Sequence, residues 1–318
     1  MNPLAAVLPV FGLMIVGFGL RRIHWLTAGA DESLLRVCVN LLLPALIFEN
    51  VLGNAALDRP ENLLLPPLVG VGMVLIGIGV AWLATSIAGL RESAARRTFA
   101  VTTGLQNYSY IPLPLCLLLY DPGTVGVLLV HNVGVELTMW TVGVSVLAGN
   151  GLRGGWRQLL RPPLVALLLA LAGNGAAHFF TAPAALVAVG KAGFTAVHWL
   201  GQSAIPLALL IIGAMVADHL PELRGGKCGR VMAVAILVRL VLLPFGFLLV
   251  AKYLPCSLEL KRVLVVEGAM ASAVLPIALA KHYGGDPRTA LQVVLGTSLA
   301  GLVTTPLWIR LGSRFCGW

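Results

Sequence analysis

Charged residues are scarce in this sequence. Asp, Glu, Lys and Arg make up 11% of its 318 residues, hydrophobic residues make up 58%, and the mean hydropathy is +0.92. A soluble protein of this size needs more charged and polar residues than this to form its surface. The apolar runs are continuous and about 20 residues long, whereas a strand of a membrane β-barrel needs only ~10 alternating residues. The composition therefore predicts an all-α polytopic membrane protein.

Cysteine is also infrequent, and the common cofactor motifs are missing. The five cysteines are odd in number and scattered, and Cys38 and Cys116 lie inside apolar runs, so neither a disulfide framework nor a metal quartet is expected. The sequence has no Walker loop, no glycine fingerprint for dinucleotides and no two-histidine metal motif. Ser272 and His131 are the one tempting nucleophile and base, but no catalytic signature surrounds either. We expect no enzyme, no ATP-driven pump and no organic cofactor.

Ten apolar segments are long enough to cross a membrane. Lysine and arginine are more frequent in the loops that follow odd-numbered segments, thirteen residues against seven on the other side, which predicts that both termini lie outside. The net charge of +9 is therefore interpreted as a topology signal, and nucleic acid is not an expected partner. In chain order the predicted segments cover residues 4–20, 33–53, 63–89, 98–120, 124–148, 163–180, 193–217, 230–251, 263–283 and 288–309.

The fourth and ninth segments resemble each other, and both are broken by proline. A shift of 165 residues, which is the separation of Asp121 from Asp286, also superposes Asn107 on Ser272. Because five segments lie on each side of the middle of the chain, the repeat is predicted to be inverted. Proline-broken segments at corresponding positions of two halves are the best sequence indication of a substrate site in a membrane protein. The predicted units are residues 1–150, a cytoplasmic linker 151–162 and residues 163–318.

The two breaks are predicted to bind an anion. Proline at position 112, 114 or 276 removes a backbone donor and breaks the helix, so that amide ends with partial positive charge lie near the membrane centre. Asn107 and Ser272, superposed by the repeat, would each add a neutral donor. The alternative is that the Asn107 side chain only satisfies backbone groups that the break has freed.

Three charged side chains and one histidine within the segments need an explanation, because an unpaired charge in a membrane is costly. Glu267 is a candidate coupling group that holds a cation or a proton, or else an interfacial charge at the outer end of its segment. Glu136 and Arg239 could form a structural ion pair, or Arg239 could neutralise an anionic substrate as it crosses. His131 could join a polar cavity or a proton path, although a lone histidine is more often a satisfied buried residue.

Four sequence motifs follow one another along nearly the whole chain. They are the run 39–48 with Asn40 and Pro44, Asn107 followed seven positions later by Pro114, the run 205–209 with Pro206, and the run 272–287 with Pro276 and Asp286. In this order they resemble the auxin efflux carrier family. The chain is similar to a compact prokaryotic member, because it lacks the long central hydrophilic loop of some plant members.

The resemblance implies two inverted five-helix repeats in which the fourth and ninth segments are broken and cross at mid-membrane, as in the bile acid and sodium symporter relatives. It implies a scaffold of segments 1, 2, 6 and 7 and a transport unit of segments 3–5 and 8–10. Together these would move a small organic anion across the cytoplasmic (inner) membrane by elevator-like secondary transport. A dicarboxylate or another metabolite is a better expectation than auxin. A channel or a substrate-sensing receptor on the same fold is the alternative.

The resemblance also implies roles for individual residues and partners. Gln106 and Tyr108 are expected to shape the pocket beside Asn107, and Asn40 is expected either to contact substrate from the scaffold or to cap its helix at the Pro44 break. The segment that contains Glu267 is similar to the one that ligates sodium in the bile acid symporter relatives, so the coupling ion is expected to be Na+ or H+. Relatives suggest a homodimer through the scaffold, and membrane lipid is the other expected partner.

Overall fold

The computed structural model describes residues 3–149, 161–177, 184–219 and 229–318 of the protein. Most of the predicted linker 151–162 and the end of the predicted sixth segment therefore lie outside the described residues. The described part is helical, apart from short connections, which confirms the prediction of an all-α protein.

In chain order the described helices are α1 (Pro3–Arg22), α2 (Ala28–Val51), α3 (Glu61–Leu83), α4 (Ser93–Gly104), α5 (Pro112–Leu119), α6 (Pro122–Ala148), α7 (Pro162–Ala177), α8 (Ala184–His219), α9 (Gly229–Tyr253), α10 (Leu258–Gly268), α11 (Leu275–His282) and α12 (Pro287–Cys316).

Seven of these described helices are long and apolar enough to span a membrane, namely α1, α2, α3, α6, α8, α9 and α12. The predicted fourth segment consists of two short helices, α4 and α5, the ninth consists of α10 and α11, and the sixth corresponds to the 16-residue α7. The ten-segment inverted repeat stays a prediction.

The two Asp-Pro pairs of the repeat each begin a helix. The Asp121 carboxylate accepts a hydrogen bond from the N–H of Thr124 at 2.9 Å, and Asp286 accepts one from the N–H of Thr289 at 3.3 Å. Proline stands at the first helical position in both, where no N–H is needed. Partial burial opposes ionisation of Asp121, but the Thr124 N–H and the paired Arg262 guanidinium hold its pKa below the ordinary value. The cap of α6 is therefore ionised at neutral pH.

Three of the described helices contain one five-residue π-helical turn each, at Cys38–Leu42 in α2, Met139–Gly143 in α6 and Val238–Leu242 in α9. In α2 and α9 the turn ends just before a Leu-Pro pair that contains Pro44 or Pro244. Proline has no N–H to donate to the carbonyl four residues back, and its ring crowds that carbonyl, so the helix widens there. The widened turn of α9 contains Arg239.

The helices pack in two groups. In the first group α8 packs against α1 and α2, and α7 packs against α2. Helices α3, α4, α6, α9, α10 and α12 form the second group. Close approach depends on glycine: a Cβ added at Gly213 of α8 would overlap the backbone of Met14 in α1, and one at Gly134 of α6 would overlap the backbone of Pro67 in α3. Small residues at such positions let membrane helices approach closely, which supports both groups in lipid.

Candidate functional site

The two breaks lie side by side and pair through their backbones. Between α4 and α5 the residue Gln106 forms an antiparallel bridge with Ser272, which lies between α10 and α11. The N–H of Asn107 donates to the carbonyl of Ala271 at 2.8 Å, and a second backbone hydrogen bond of 3.0 Å joins the breaks at the other side of the bridge. Each break therefore satisfies part of the backbone that the other has freed.

Side chains of neighbouring helices bind further backbone groups of the breaks. Asn132 of α6 donates from Nδ2 to the carbonyl of Tyr108 at 2.6 Å, and Thr297 of α12 accepts from the N–H of Ser272 at 3.2 Å. The Asn107 side chain has no hydrogen bond to another described residue. The freed backbone at the first break is thus satisfied by Asn132 and by the facing break, and the Asn107 amide is available to a ligand.

Arg239 joins the ends of two broken helices. Its Nε donates to the carbonyl of Met270 at 2.9 Å, and its Nη atoms make longer hydrogen bonds of 3.4 to 3.5 Å with the carbonyls of Gly104, Glu267 and Gly268. These carbonyls end α4 and α10, where a helix carries partial negative charge. The guanidinium has no exposed surface. Arg239 therefore supplies a buried positive charge to the carboxyl-terminal ends of both half-helices.

The predicted ion pair between Glu136 and Arg239 is wrong. Arg239 is directed to the carbonyls that the breaks release, and its charge interacts with that of Glu267. Glu136 lines a cavity instead, where its charge interacts with that of Arg161. The packing decides this outcome, because it places the Arg239 guanidinium against the carbonyls at the helix ends and the Glu136 side chain in the cavity lining.

Glu267 is fully buried, so the alternative of an interfacial charge in contact with water is also wrong. Neither of its carboxylate oxygens has a well-formed hydrogen bond within the described residues. The Gln106 amide and the Arg239 guanidinium are the groups that act on the Glu267 charge. A buried carboxylate in such surroundings is held by the opposite charge of Arg239 or by a proton.

A cavity of about 1010 Å³ lies between the two groups of helices. One wall is apolar and comes from α2 and α8, with Val39, Leu43 and Ile212. The other wall contains the residues that precede α5 and α11, where helix N-termini add partial positive charge. The polar lining consists of Asn107, Tyr108, Ser109, Tyr110, Glu136, Arg161, Lys281, Arg288 and Gln292.

The charged residues of the cavity are mainly positive. Arg161, Lys281 and Arg288 line it together with a single acid, Glu136. Lys281 and Arg288 are exposed, so they mark the rim at which the cavity reaches the surface. All three cations belong to loops after odd-numbered segments, the predicted cytoplasmic side. A concave, mostly apolar space with a cationic rim attracts anions and concentrates them near its wall.

The cavity includes some of the predicted site residues and not others. Asn107, Tyr108 and Glu136 line it. Gln106 and Ser272 are buried at the bridge, and neither belongs to the cavity lining. The predicted prolines Pro114 and Pro276 are buried within the first turns of α5 and α11, where they set the break without reaching the cavity.

Asn40 is exposed on the outside of α2, and it does not line the cavity. Its Nδ2 donates to the carbonyl of Arg36, one turn earlier in the same helix, at 2.8 Å. The neighbours Val39 and Leu43 face the cavity instead. Of the two interpretations of Asn40, the structure therefore favours a local role beside the Pro44 break over a substrate contact.

His131 has no exposed surface and lies outside the cavity lining. Its Nδ1 is 3.4 Å from the Oδ1 of Asn132, and its Nε2 has no partner within the described residues. The ring therefore supports Asn132, which in turn holds the carbonyl of Tyr108. The interpretation as a buried residue of the surrounding structure fits this placement.

Sequence reasoning missed the cationic rim. Arg161, Lys281 and Arg288 were counted as topology signals, because an arginine or lysine in a short loop is explained by membrane orientation alone. One signal was available: Lys281 and Arg288 flank the Asp-Pro pair that follows the second break, and Arg161 precedes the Pro162-Pro163 start of α7.

Two comparisons with known proteins agree with each other. A family model described as "Membrane transport protein" matches residues 4–154 and 152–309. A protein of Methanothermobacter thermautotrophicus, described as an "Uncharacterized transporter", is 24% identical over 312 residues, which cover 97% of this chain and 98% of that relative.

Proposed function

The chain belongs to the membrane transport protein family, and we propose that it is a secondary active transporter that moves a small organic anion, a carboxylate, across the cytoplasmic membrane. Its termini are then outside, and the cavity opens to the cytoplasm. A dicarboxylate or another metabolite is the proposed cargo. A homodimer through the scaffold helices α1, α2, α7 and α8 within membrane lipid is the proposed assembly.

The cavity carries this proposal. It is large enough for a metabolite, it combines three cations with one acid, and it contacts the N-terminal ends of two half-helices. The Asn107 amide adds a neutral donor beside these ends. A carboxylate that enters past Lys281 and Arg288 would therefore exchange water for amide and hydroxyl donors near the membrane centre.

The position of the cavity between the two groups of helices suits alternating access. In the proposed elevator mechanism, α1, α2, α7 and α8 are the scaffold, and the other helices move together with the bound anion. The backbone pairing of the breaks and the Arg239 hydrogen bonds would keep α4, α5, α10 and α11 together during this movement. The wall that α2 and α8 contribute is apolar, so the moving helices could slide along it without breaking hydrogen bonds.

The first test removes the charge at the rim. The double substitution Lys281→Gln and Arg288→Gln should raise the half-saturating concentration of a carboxylate about three- to tenfold in inside-out vesicles, because each exposed cation contributes up to ~1 kcal/mol. The effect should shrink at high salt. Arg314→Gln is the matched control, since Arg314 is exposed and outside the cavity lining. An unchanged double variant would contradict the assignment of this cavity.

Counterflow separates the proposed carrier from a channel or a receptor. Substrate on the far side should accelerate uptake of labelled substrate, because a carrier site alternates between the two faces. A channel gives no such acceleration, and a receptor gives binding without flux. Absence of both flux and exchange for a broad panel of carboxylates would contradict the transporter proposal.

Glu267 is the proposed coupling group, and the ion that we assign to it is a proton. Uptake by the parent should depend on a pH gradient, and Glu267→Gln should lose that dependence while it keeps counterflow, because glutamine cannot exchange a proton. Glu92→Gln, an exposed acid at the start of α4, is the control. If Glu267→Gln showed the same pH dependence as the parent, the carboxylate would not be the coupling group.

A further inference from the structure

The residues at the two breaks do not suit the sodium ion that the family resemblance suggests near Glu267. Sodium needs several oxygen ligands, and the carbonyls freed by broken helices are its usual source in transporters. In this protein the carbonyls of Gly104, Glu267, Gly268 and Met270 accept hydrogen bonds from Arg239. The lone pairs that would face a cation therefore face a guanidinium.

The charges of Glu267 and Arg239 also argue against a bound sodium ion. Glu267 and Arg239 are the two Asp, Glu, Lys or Arg side chains that have no exposed surface within the described residues. Their charges cancel. A sodium ion bound at the Glu267 carboxylate would lie close to the Arg239 guanidinium, which is unfavourable in a medium of low dielectric constant. It would also need several oxygen ligands that already accept from the guanidinium, whereas a proton on the carboxylate needs none.

The local structure of α9 fixes the position of the Arg239 side chain beside the two breaks. The π-helical turn Val238–Leu242 ends one residue before Pro244, which stands in the first turn of the regular helix that follows and has no N–H to donate to the carbonyl four residues back. Trp308 of α12 donates from Nε1 to the carbonyl of Leu240 at 2.7 Å, and the Phe247 ring lies 6.0 Å from the guanidinium carbon. π-helical turns occur frequently at functional sites, where they direct a side chain that a regular helix would place elsewhere.

We infer that Arg239 takes the place of a coupling cation: tethered to α9, it supplies the positive charge that Glu267 and the carbonyl ends of α4 and α10 require, so that the protein folds and transports without sodium. The part that concerns transport rests on the proposed function. The part that concerns stability does not, because it is a property of the folded protein.

The parent protein gives the first test. Its melting temperature, measured after purification in detergent, should be the same within about 1 °C in sodium chloride, potassium chloride and choline chloride of equal ionic strength, since an ion that does not bind does not stabilise. A saturable rise of several degrees that sodium alone produces would show a bound sodium ion and overturn the inference.

Two substitutions of Arg239 separate charge from hydrogen bonding. Arg239→Gln keeps donors but removes the charge, so we expect it to melt at least about 5 °C lower than the parent in choline and to regain part of this loss in sodium. Arg239→Lys keeps the charge and should stay insensitive to sodium. Arg230→Gln is the matched control, because Arg230 lies at the start of the same helix and is exposed.

The outcomes for Arg239→Gln are distinct. Recovery in sodium supports the replacement of a cation. A variant that is as stable as the parent, or one that is destabilised and not restored by sodium, contradicts it, and in the second case Arg239 acts only as a hydrogen-bond donor. If Arg239→Gln does not fold, the sodium titration of the parent and of Arg239→Lys decides.

Vesicle uptake distinguishes this inference from the proposed function. Carboxylate uptake at the same rate in sodium and in choline media supports both. Uptake that requires sodium overturns the inference and leaves the transporter proposal intact. If no carboxylate is taken up in either medium, the proposed function fails, and the melting temperatures still test the role of Arg239.

Discussion

Replacing Asn107 by alanine should weaken binding of a carboxylate substrate by about tenfold to a hundredfold. The Asn107 amide lines the cavity next to the N-terminal ends of α5 and α11, and it has no hydrogen bond to another described residue. A hydrogen bond from a neutral donor to a charged acceptor contributes roughly 1.5 to 3 kcal/mol. The backbone hydrogen bond from Asn107 to Ala271 does not depend on the Asn107 side chain, so the structure of the break should be preserved in the variant.

Ser272→Ala is the matched control for Asn107→Ala. Ser272 lies on the facing break, in the position that the repeat superposes on Asn107, but its hydroxyl is buried outside the cavity and has no partner within the described residues. Affinity should therefore change by less than about twofold. Equilibrium binding of a radiolabelled carboxylate measures both variants. Equal losses of affinity would show that both breaks bind substrate, as the repeat in the sequence suggests. Wild-type affinity in Asn107→Ala would show that the breaks are not part of the substrate site.

Gly134→Ala should destabilise the folded protein by about 3 kcal/mol or more, although it adds a single methyl group. A Cβ at Gly134 would lie 2.6 Å from the carbonyl carbon of Pro67, so α3 and α6 would have to move apart. Because these two helices are a central pair of the second group, the loss should appear as a decrease in melting temperature of about 4 °C or more.

The control for this substitution is Gly72→Ala in α3. A Cβ at Gly72 meets no atom within 4 Å, so alanine should leave the melting temperature unchanged or raise it slightly through its higher helix propensity. Detergent-solubilised protein, followed by tryptophan fluorescence or by monomer yield after heating, measures both variants. If Gly134→Ala melted with the parent, the close packing of α3 and α6 would not be a feature of the folded protein.

Local chemistry explains which features could be predicted from the sequence. Proline favours the first turn of a helix, and Pro112, Pro114 and Pro276 stand in the first turns of α5 and α11, directly after the two breaks. Proline alone is not sufficient for a break, because Pro66, Pro206 and Pro306 lie inside continuous helices. Aspartate before proline is a helix start, and Asp121 and Asp286 begin α6 and α12 as their pairing suggests. The low content of charged residues likewise predicts a helical membrane protein without any knowledge of how the helices pack.

The direction of a side chain could not be predicted in this manner. Lipid is as apolar as a protein core, so a membrane helix has little polarity contrast between its faces. The sequence therefore leaves substrate contact open for Asn40, although Asn40 is exposed on the outside of α2. It also leaves an interfacial position open for Glu267, although Glu267 is fully buried. Topology alone explains the rim cations Lys281 and Arg288 in the sequence, because their position beside the Asp286-Pro287 pair does not by itself reveal a cavity.

The sequence by itself determined that this chain is a helical membrane protein with two proline breaks, and it placed Asn107 beside the first of them. The tertiary structure alone decided what those breaks contact. Arg239 reaches Gly104 across 135 residues of chain, and it meets carbonyls whose availability depends on how four half-helices end against one another. Helix formation and helix breaking follow from neighbouring residues, whereas the partner of a buried charge follows from the packing of distant helices, and this packing determines whether the breaks bind a free cation or a tethered one.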